Sequence, residues 1–186
     1  LGDVYKRQSQ KELWDLTLKE VLSKLNIELS DEWKTILSHP SLKKLCMGGE
    51  GSAKSFHAGL ALVAHTFYDS LLGEELLYWV IGADFEDARK DFMYAFDFLK
   101  RLDAIEEYNV PGNKDKQCWF RTKTGHTCVT ISGYDPTKIA REEPHGIIGA
   151  EFTRWLKEVY DRSMDRLMRR YNKGAWGFYS GSYESS

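Results

Sequence analysis

The sequence predicts an α/β fold in which a mainly parallel β-sheet is covered by helices on both faces. Two kinds of segment alternate along the 186 residues. Some are short continuous apolar runs, typical of strands buried on both sides, and others are longer stretches with apolar residues at helical spacing. This alternation favours strand–helix–strand units and a parallel sheet. Ligands bind such sheets at the carboxyl ends of the strands, so residues that follow the apolar strands are candidates for function.

Two helices are predicted at the start of the chain. Residues 9–26 place apolar side chains at helical spacing, and Ser30 with the two acidic residues after it opens a second helix. The preceding residues 1–8 resemble the translation of a sequencing-library adaptor, so we interpret them as a processing scar. We therefore expect residues 9–40 to be an N-terminal helical segment and residues 41–186 to form the main domain.

The remaining elements are predicted in a regular order. Strands are expected at 42–47, 76–81, 118–121, 127–131, 146–150 and 176–182, with 118–121 and 127–131 forming a hairpin. Helices are expected at 54–72, 84–105 and 152–171. The hairpin adds an antiparallel pair to a sheet that is otherwise parallel.

Composition and charge exclude several classes of protein. Hydrophobic residues make up 42% of the chain and the formal net charge is -2, which excludes intrinsic disorder and a generic polyanion-coating protein. The three cysteines form no Cys-x-x-Cys pair, which argues against a zinc site and a disulfide framework. Apolar runs are too short for a membrane span. These features predict a soluble cytosolic domain.

The segment 48–55 carries the strongest functional signal. It matches the pattern G-x-x-x-x-G-K-[ST] except that Ala53 replaces the last glycine. Glycines let successive backbone N–H groups curl around phosphates, and the N-terminus of the following helix adds a positive partial charge. We predict that the phosphates of ATP are bound by this loop. Its residues are Gly48, Gly49, Glu50, Gly51, Ser52, Ala53, Lys54 and Ser55.

Individual roles follow from the chemistry of these side chains. Lys54 supplies a cation to the β- and γ-phosphates, and the Ser55 hydroxyl is a ligand for Mg²⁺. Ala53 adds only a methyl group, which the loop tolerates if its φ stays negative. The alternative is a glycine-rich turn that merely precedes a helix. The Lys-Ser pair at the correct offset after an apolar strand favours the phosphate site.

Glu151 is the candidate catalytic carboxylate. It follows the apolar strand 146–150, as the glutamate of a Walker B segment follows its strand. In such segments an Asp supports Mg²⁺ and the next Glu orients water, but here Ala150 occupies the Asp position. We expect Glu151 to act as the general base that polarises the attacking water. The alternative is a surface glutamate that opens the next helix.

The helix after Glu151 is rich in basic residues. Positions 154–173 hold seven Lys or Arg against three Asp or Glu, although the whole chain is nearly neutral. A solvated helix face is the simplest interpretation. As an alternative, Arg166, Arg169 or Arg170 acts as an arginine finger on a neighbouring subunit, or contacts DNA phosphate.

Taken together, these segments resemble the ATPase domain of phage terminase large subunits over residues 29–186. The resemblance rests on the phosphate loop, on the segment 81–89, on Glu151 and on a Ser-Gly-Ser element after the last strand. It implies a Mg-dependent ATPase motor that drives viral DNA into the capsid. It also assigns Ser180, Gly181 and Ser182 to the coupling motif that links hydrolysis to DNA movement.

The same resemblance implies partners and a location. They are double-stranded DNA, a homo-oligomeric ring on a portal and a small terminase subunit, in the cytoplasm of an infected bacterium. The family's nuclease domain is expected after residue 186, so no nuclease activity is expected in this fragment. Glu50, where many relatives have arginine, and Ala150 depart from the family. Two alternatives stay open: another P-loop DNA-translocating ATPase, helicase-like or recombinase-like, and a nucleotide-binding module without hydrolysis.

Overall fold

A seven-stranded, mostly parallel sheet organises the chain in its computed structural model. The structure describes residues 2–39, 41–49, 51–134, 139 and 142–182, with side chains from residue 9 onward. The strands are β1 Lys43–Met47, β2 Leu77–Gly82, β3 Ile105–Asn109, β4 Trp119–Thr122, β5 Thr127–Ser132, β6 Gly146–Gly149 and β7 Trp176–Gly181. The α-helices are α1 Gly2–Leu25, α2 Asp31–Ser38, α3 Lys54–Asp69, α4 Phe85–Arg101 and α5 Lys157–Met168.

The order of the strands across the sheet is β1-β7-β6-β2-β5-β4-β3. The first five pair in parallel, while β4 pairs antiparallel with both β5 and β3. This arrangement confirms the predicted α/β class, the mainly parallel sheet and the additional hairpin. Among the described residues, no helix is long and apolar enough to cross a membrane.

Helices cover both faces of the sheet, as predicted. Along β2, Tyr78 and Val80 contribute to a large core that includes residues of α1 to α4. The alternate residues Trp79 and Ile81 contribute to a second core that includes Val159 of α5. Successive side chains of a strand point to opposite faces, so a continuous apolar run becomes two cores. The predicted burial of this strand on both sides is confirmed.

Three boundaries differ from the sequence-based expectation. Helix α1 begins at Gly2 instead of residue 9. Helix α4 ends at Arg101, and the unpredicted strand β3 follows at the edge of the sheet with an exposed, charged middle. The predicted helix 152–171 is interrupted, because a short 3-10 turn at Phe152–Arg154 precedes α5. The Trp155 indole N–H donates to the carbonyl of Ala150 (3.0 Å), and this hydrogen bond stabilises the break in the helix.

Helices α3 and α4 lie unusually close together. A Cβ atom on Gly59 of α3 would lie 2.6 Å from Tyr94 Cβ and 2.8 Å from the Ala95 nitrogen, both on α4. Only a residue without a side chain allows this approach. The two helices therefore pack against each other through the middle of α4 and the N-terminal half of α3.

Candidate nucleotide site

The predicted phosphate loop, catalytic carboxylate and coupling element lie at one edge of the sheet. The phosphate loop joins β1 to α3, Ser182 follows β7, and Glu151 follows β6. These three strands are adjacent and parallel, in the order β1-β7-β6, so their carboxyl ends lie side by side. The topology thus brings together residues that are about 100 positions apart in the sequence, as expected for ligand sites on open α/β sheets.

The phosphate loop is anchored to strand β7 through its backbone. The Gly48 N–H donates to the carbonyl of Gly181 (3.2 Å), which ties the start of the loop to β7. A Cβ atom on Gly48 would lie 2.9 Å from Ser52 Oγ, and Gly51 has a φ of +78°, so both positions favour glycine. Glu50 lies outside the described residues.

Lys54 lies across this loop and is almost fully buried, with 8% exposure. Its Nζ donates to the carbonyls of Gly48 and Gly49 (2.9 Å each) and to Ser52 Oγ (3.2 Å). A lysine ammonium has three donors and no acceptor, so these three oxygens hold the charged group against the loop. The same three donors suit phosphate oxygens.

Helix α3 begins at Lys54 and has no side-chain cap. Its first N–H groups therefore have no intrahelical or side-chain partner within the described residues, which makes the helix start suited to an anion. Behind this turn, His57 Nδ1 lies 2.8 Å from the Ala53 carbonyl and Trp33 stacks on the imidazole at 3.7 Å. Burial lowers the pKa of His57.

Ala53 adopts the left-handed conformation, with φ +57° and ψ +25°. The sequence-based expectation required a negative φ, and this condition is not met. An L-residue with a Cβ is strained in this region by about 1–2 kcal/mol relative to a right-handed conformation. The loop must reverse direction immediately before α3, and the missing glycine is the residue type that this turn favours.

Glu151 is held by Ser182. The Ser182 N–H donates to Glu151 Oε2 and the Ser182 hydroxyl donates to Oε1, both at 3.0 Å. Glu151 is also left-handed, with φ +46°, and it precedes the 3-10 turn rather than helix α5. Glu151 therefore does not open the long helix itself, and its catalytic role stays a prediction. Strained backbone at Ala53 and Glu151 is consistent with a functional site, where such residues cluster.

The Ser-Gly-Ser element connects the two halves of the site. Gly181 accepts the hydrogen bond from Gly48 of the phosphate loop, while the next residue, Ser182, donates hydrogen bonds to the carboxylate of Glu151. Ser180 is buried, and its hydroxyl lies 3.5 Å from the carbonyl of Gly149. A displacement of β7 would therefore act on the loop and on Glu151 together. The coupling role of this element stays a prediction.

Two aspartates on α4 lie near these residues and were missed by the sequence interpretation. Asp91 is 2% exposed, with the Ser55 hydroxyl beside it and Glu151 and Asp87 nearby. Burial raises the pKa of Asp91 to about 6, Glu151 and Asp87 add to the rise, and the Ser55 hydroxyl opposes it. Asp87 is 4% exposed and pairs with Arg154 at 2.8 Å.

The sequence did hold a signal for Asp91. It lies between Ala88, Phe92 and Ala95, all of which are buried on the same side of α4. A carboxylate within the apolar stripe of a helix faces the interior, and buried charges are paired or functional. The helix predicted over 84–105 assigned no role to this aspartate.

Similar architectures occur among solved structures. The large terminase ATPase domain of Thermus phage P74-26 matches with a TM-score of 0.68 and 15% identity, over 86% of this chain and 67% of that one. The large terminase of a thermophilic bacteriophage matches with a TM-score of 0.60 and 14% identity, over 83% of this chain and 39% of that one. The chain has the fold of phage large terminase ATPase domains. Neither a protein-family model nor a curated protein matches the sequence.

A further structure of the thermophilic bacteriophage's terminase contains ATP-gamma-S and matches with a TM-score of 0.58, 13% identity and 83% of this chain covered. The present chain spans 38% of that structure. Since identity is low in every case, the likeness extends to the terminase fold, and the site residues are assigned from their own geometry.

The residues present fit a magnesium ion that is bound together with phosphates. Ser55 offers a hydroxyl, and Asp91 and Glu151 offer carboxylates, all hard oxygen donors of the kind Mg²⁺ prefers. Among the described residues, no cluster of three or more His, Cys, Asp or Glu side chains could hold a metal ion by itself. Mg²⁺ commonly takes one or two protein ligands, with phosphate or water oxygens as the others.

The three arginines proposed as fingers lie at the other end of α5. Arg170 pairs with Glu74 (2.9 Å), which precedes β2, and Arg169 contacts Glu143 (3.5 Å), which precedes β6. Arg166 is half-buried on the same helix. These contacts place the cluster near the amino ends of the strands, away from the chain's own phosphate loop. Action on a neighbouring subunit stays a prediction.

Proposed function

We propose that this chain is the motor ATPase domain of a terminase-like DNA-packaging protein. The observation that carries the proposal is the pair of hydrogen bonds that Ser182 donates to the carboxylate of Glu151. This carboxylate lies next to a glycine-rich loop whose carbonyls accept hydrogen bonds from Lys54. A carboxylate fixed by two hydrogen bonds beside a phosphate-binding loop is suited to orient one water molecule. The terminase fold supports the assignment to this class of motor.

Each residue has a defined task in the proposed reaction. The amides of the loop and the start of α3 bind the β- and γ-phosphates, and Lys54 exchanges the carbonyls it now contacts for phosphate oxygens. Mg²⁺, held through Ser55, supplies charge neutralisation on the phosphates when it is bound. Glu151 accepts a proton from the attacking water, and ADP and phosphate are the products. Positioning and electrostatics provide most of the catalysis.

The wider setting is proposed from the resemblance and the fold. Residues 41–186 form the ATPase domain, and residues 9–40 are the helical segment before it. The full protein works as a ring on a portal with a small terminase subunit, and moves double-stranded DNA in the host cytoplasm. Ser182 and its neighbours report the state of the nucleotide to surfaces that grip DNA.

The experiment that tests this proposal measures ATP binding and ATP turnover separately. Lys54→Ala is expected to abolish binding, because it removes the cation from the loop. Glu151→Gln is expected to bind MgATP normally and to lose turnover, because the amide cannot accept the proton. Lys34→Ala and Glu107→Gln, at exposed positions on α2 and β3, are matched controls. Normal binding by Lys54→Ala and normal turnover by Glu151→Gln would together refute the site assignment.

The second candidate function is nucleotide binding without hydrolysis. It is favoured by Ala150, which leaves β6 without the aspartate that supports the metal in a Walker B segment. Tight MgATP binding by the full-length assembly, without phosphate release in the presence of DNA, would support this candidate. DNA-stimulated phosphate release that Glu151→Gln abolishes would exclude it. Strand separation by the full-length protein would instead favour a helicase-like motor.

A further inference from the structure

Asp91 is a buried carboxylate, and the packing of α4 alone gives no reason for a charged side chain at this position. Its exposure is 2%, and its Oδ2 atom has no hydrogen-bond partner among the described residues. A carboxylate oxygen that is withdrawn from water without a partner destabilises the fold. Keeping such a group in the middle of α4 lowers the stability of the fold. Buried ionisable groups of this kind are typical of functional sites.

The neighbours of Asp91 belong to the nucleotide site. The Ser55 hydroxyl lies beside the carboxylate and favours its ionised form, and Glu151 acts on it electrostatically. The other carboxylates of this region are held in place: Asp87 by Arg154 (2.8 Å) and Glu151 by Ser182. Asp91 Oδ2, in contrast, has no such contact within the described part of the chain.

Close packing of two helices brings Asp91 to Ser55. Gly59 allows the backbone of α3 to approach Tyr94 and Ala95 of α4. One helical turn earlier on each helix, at four residues' distance, lie Ser55 and Asp91. The same contact that packs the helices therefore sets the carboxylate against the hydroxyl that is expected to bind the metal.

The end of strand β6 offers no carboxylate that could accept the hydrogen of the Ser55 hydroxyl. A serine that binds Mg²⁺ uses a lone pair of its oxygen, so its hydrogen must be directed to an acceptor elsewhere. The residue before Glu151 is Ala150, which has no acceptor in its side chain. The acceptor must then come from another element, and Asp91 is the buried carboxylate beside Ser55.

We propose that Asp91, supplied by α4, replaces the missing strand carboxylate as the positioning residue of the magnesium site. With Mg²⁺ bound, it would accept the hydrogen of the Ser55 hydroxyl and leave the oxygen lone pair for the metal, while Oδ2 would be available to accept a hydrogen bond from water. This inference rests on the proposed nucleotide-binding function. It assigns the metal's outer support to a helix instead of to the strand that carries Glu151.

The test compares nucleotide affinity with and without the metal. ADP binding to the whole chain is measured by calorimetry in excess Mg²⁺ and in EDTA, and the ratio of the two affinities is the metal-dependent gain. Asp91→Asn is expected to keep the affinity measured in EDTA and to reduce the gain by about 10-fold or more, the usual effect of losing an outer-shell partner. Asp91→Ser is a second variant with the same expectation.

Asp97→Asn is the matched control, because Asp97 is exposed on the same helix and is expected to keep the wild-type gain. Circular dichroism establishes that each variant is folded. A wild-type gain in folded Asp91→Asn or Asp91→Ser overturns the inference and leaves the nucleotide site intact. A wild-type chain that binds ADP equally well in EDTA also overturns it. A wild-type chain that binds no ADP under either condition refutes the proposed function itself.

Discussion

Replacing Ala53 with glycine is expected to stabilise the protein, although it removes a methyl group. Ala53 is exposed and has a φ of +57°, so its side chain contributes little packing while its backbone is strained. The strain is about 1–2 kcal/mol, and the greater freedom of glycine in the unfolded chain offsets about 0.4–1 kcal/mol of the gain. The net increase in the free energy of unfolding is therefore about 1 kcal/mol, or about 2–4 °C in Tm for a chain of this size.

Urea denaturation followed by circular dichroism measures this change, with Gly73→Ala as the calibration. Gly73 has a φ of +70° and open space around the position of a Cβ, and it lies outside the phosphate loop. The same backbone effect should therefore appear there with the opposite sign, as a loss of about 1 kcal/mol. Opposite shifts in the two variants, with equal m-values, are the expected result.

A decrease in stability for Ala53→Gly, alongside the expected loss for Gly73→Ala, would refute the reasoning. It would mean that Ala53 is not left-handed in solution, and that the loop enters α3 along a different path. The backbone N–H groups at the start of α3 would then point in a different direction.

Three further predictions concern the site and its support. Ser182→Ala removes one of the two bonds that hold Glu151, and since hydrogen bonds to charged groups contribute about 1.5–3 kcal/mol, ATP turnover by steady-state kinetics should fall by about 10- to 100-fold with little change in KM. Gly59→Ala would place a Cβ 2.6 Å from Tyr94 Cβ, so chemical denaturation should reveal a loss of about 1–3 kcal/mol from overpacking. Burial lowers the pKa of His65 to about 4 from its ordinary 6.5, so the unfolded chain binds more protons at this residue between these values. Because the raised pKa of Asp91 has the opposite effect on stability, wild type is compared with His65→Phe, and wild type should lose about 3 kcal/mol relative to the variant as the pH drops through that window. A difference in urea midpoint between wild type and His65→Phe that stays constant from pH 7 to pH 4 would contradict the last of these.

Much of the architecture was predictable because its signals are local. The apolar runs of β2 and β6 and the Lys-Ser pair after a glycine-rich turn depend on neighbouring residues in the sequence. Strand β3 was not predictable in this way. Its middle is exposed and charged at the edge of the sheet, so it carries no apolar alternation. The break before α5 depends on a tryptophan side chain bonded back to the end of β6, which no helical periodicity reveals.

The site was predicted in part for the same reason. Lys54, Ser55 and Glu151 follow apolar strands in recognisable patterns, and the parallel order of the strands brings them to one edge. Two contacts arise from packing between elements that are distant in the sequence, which the sequence alone does not specify. They are the hydrogen bonds from Ser182 to Glu151 and the approach of Asp91 to Ser55.

A crystal structure of the chain with Mg²⁺ and a slowly hydrolysed ATP analogue tests the central claim most directly. We expect the β- and γ-phosphates to lie in the loop between β1 and α3, with Lys54 Nζ moved from the carbonyls of Gly48 and Gly49 to phosphate oxygens. Glu151 should face the γ-phosphate across one water molecule, still held by Ser182. A nucleotide bound elsewhere on the sheet, with Lys54 still on the loop carbonyls, would contradict the account.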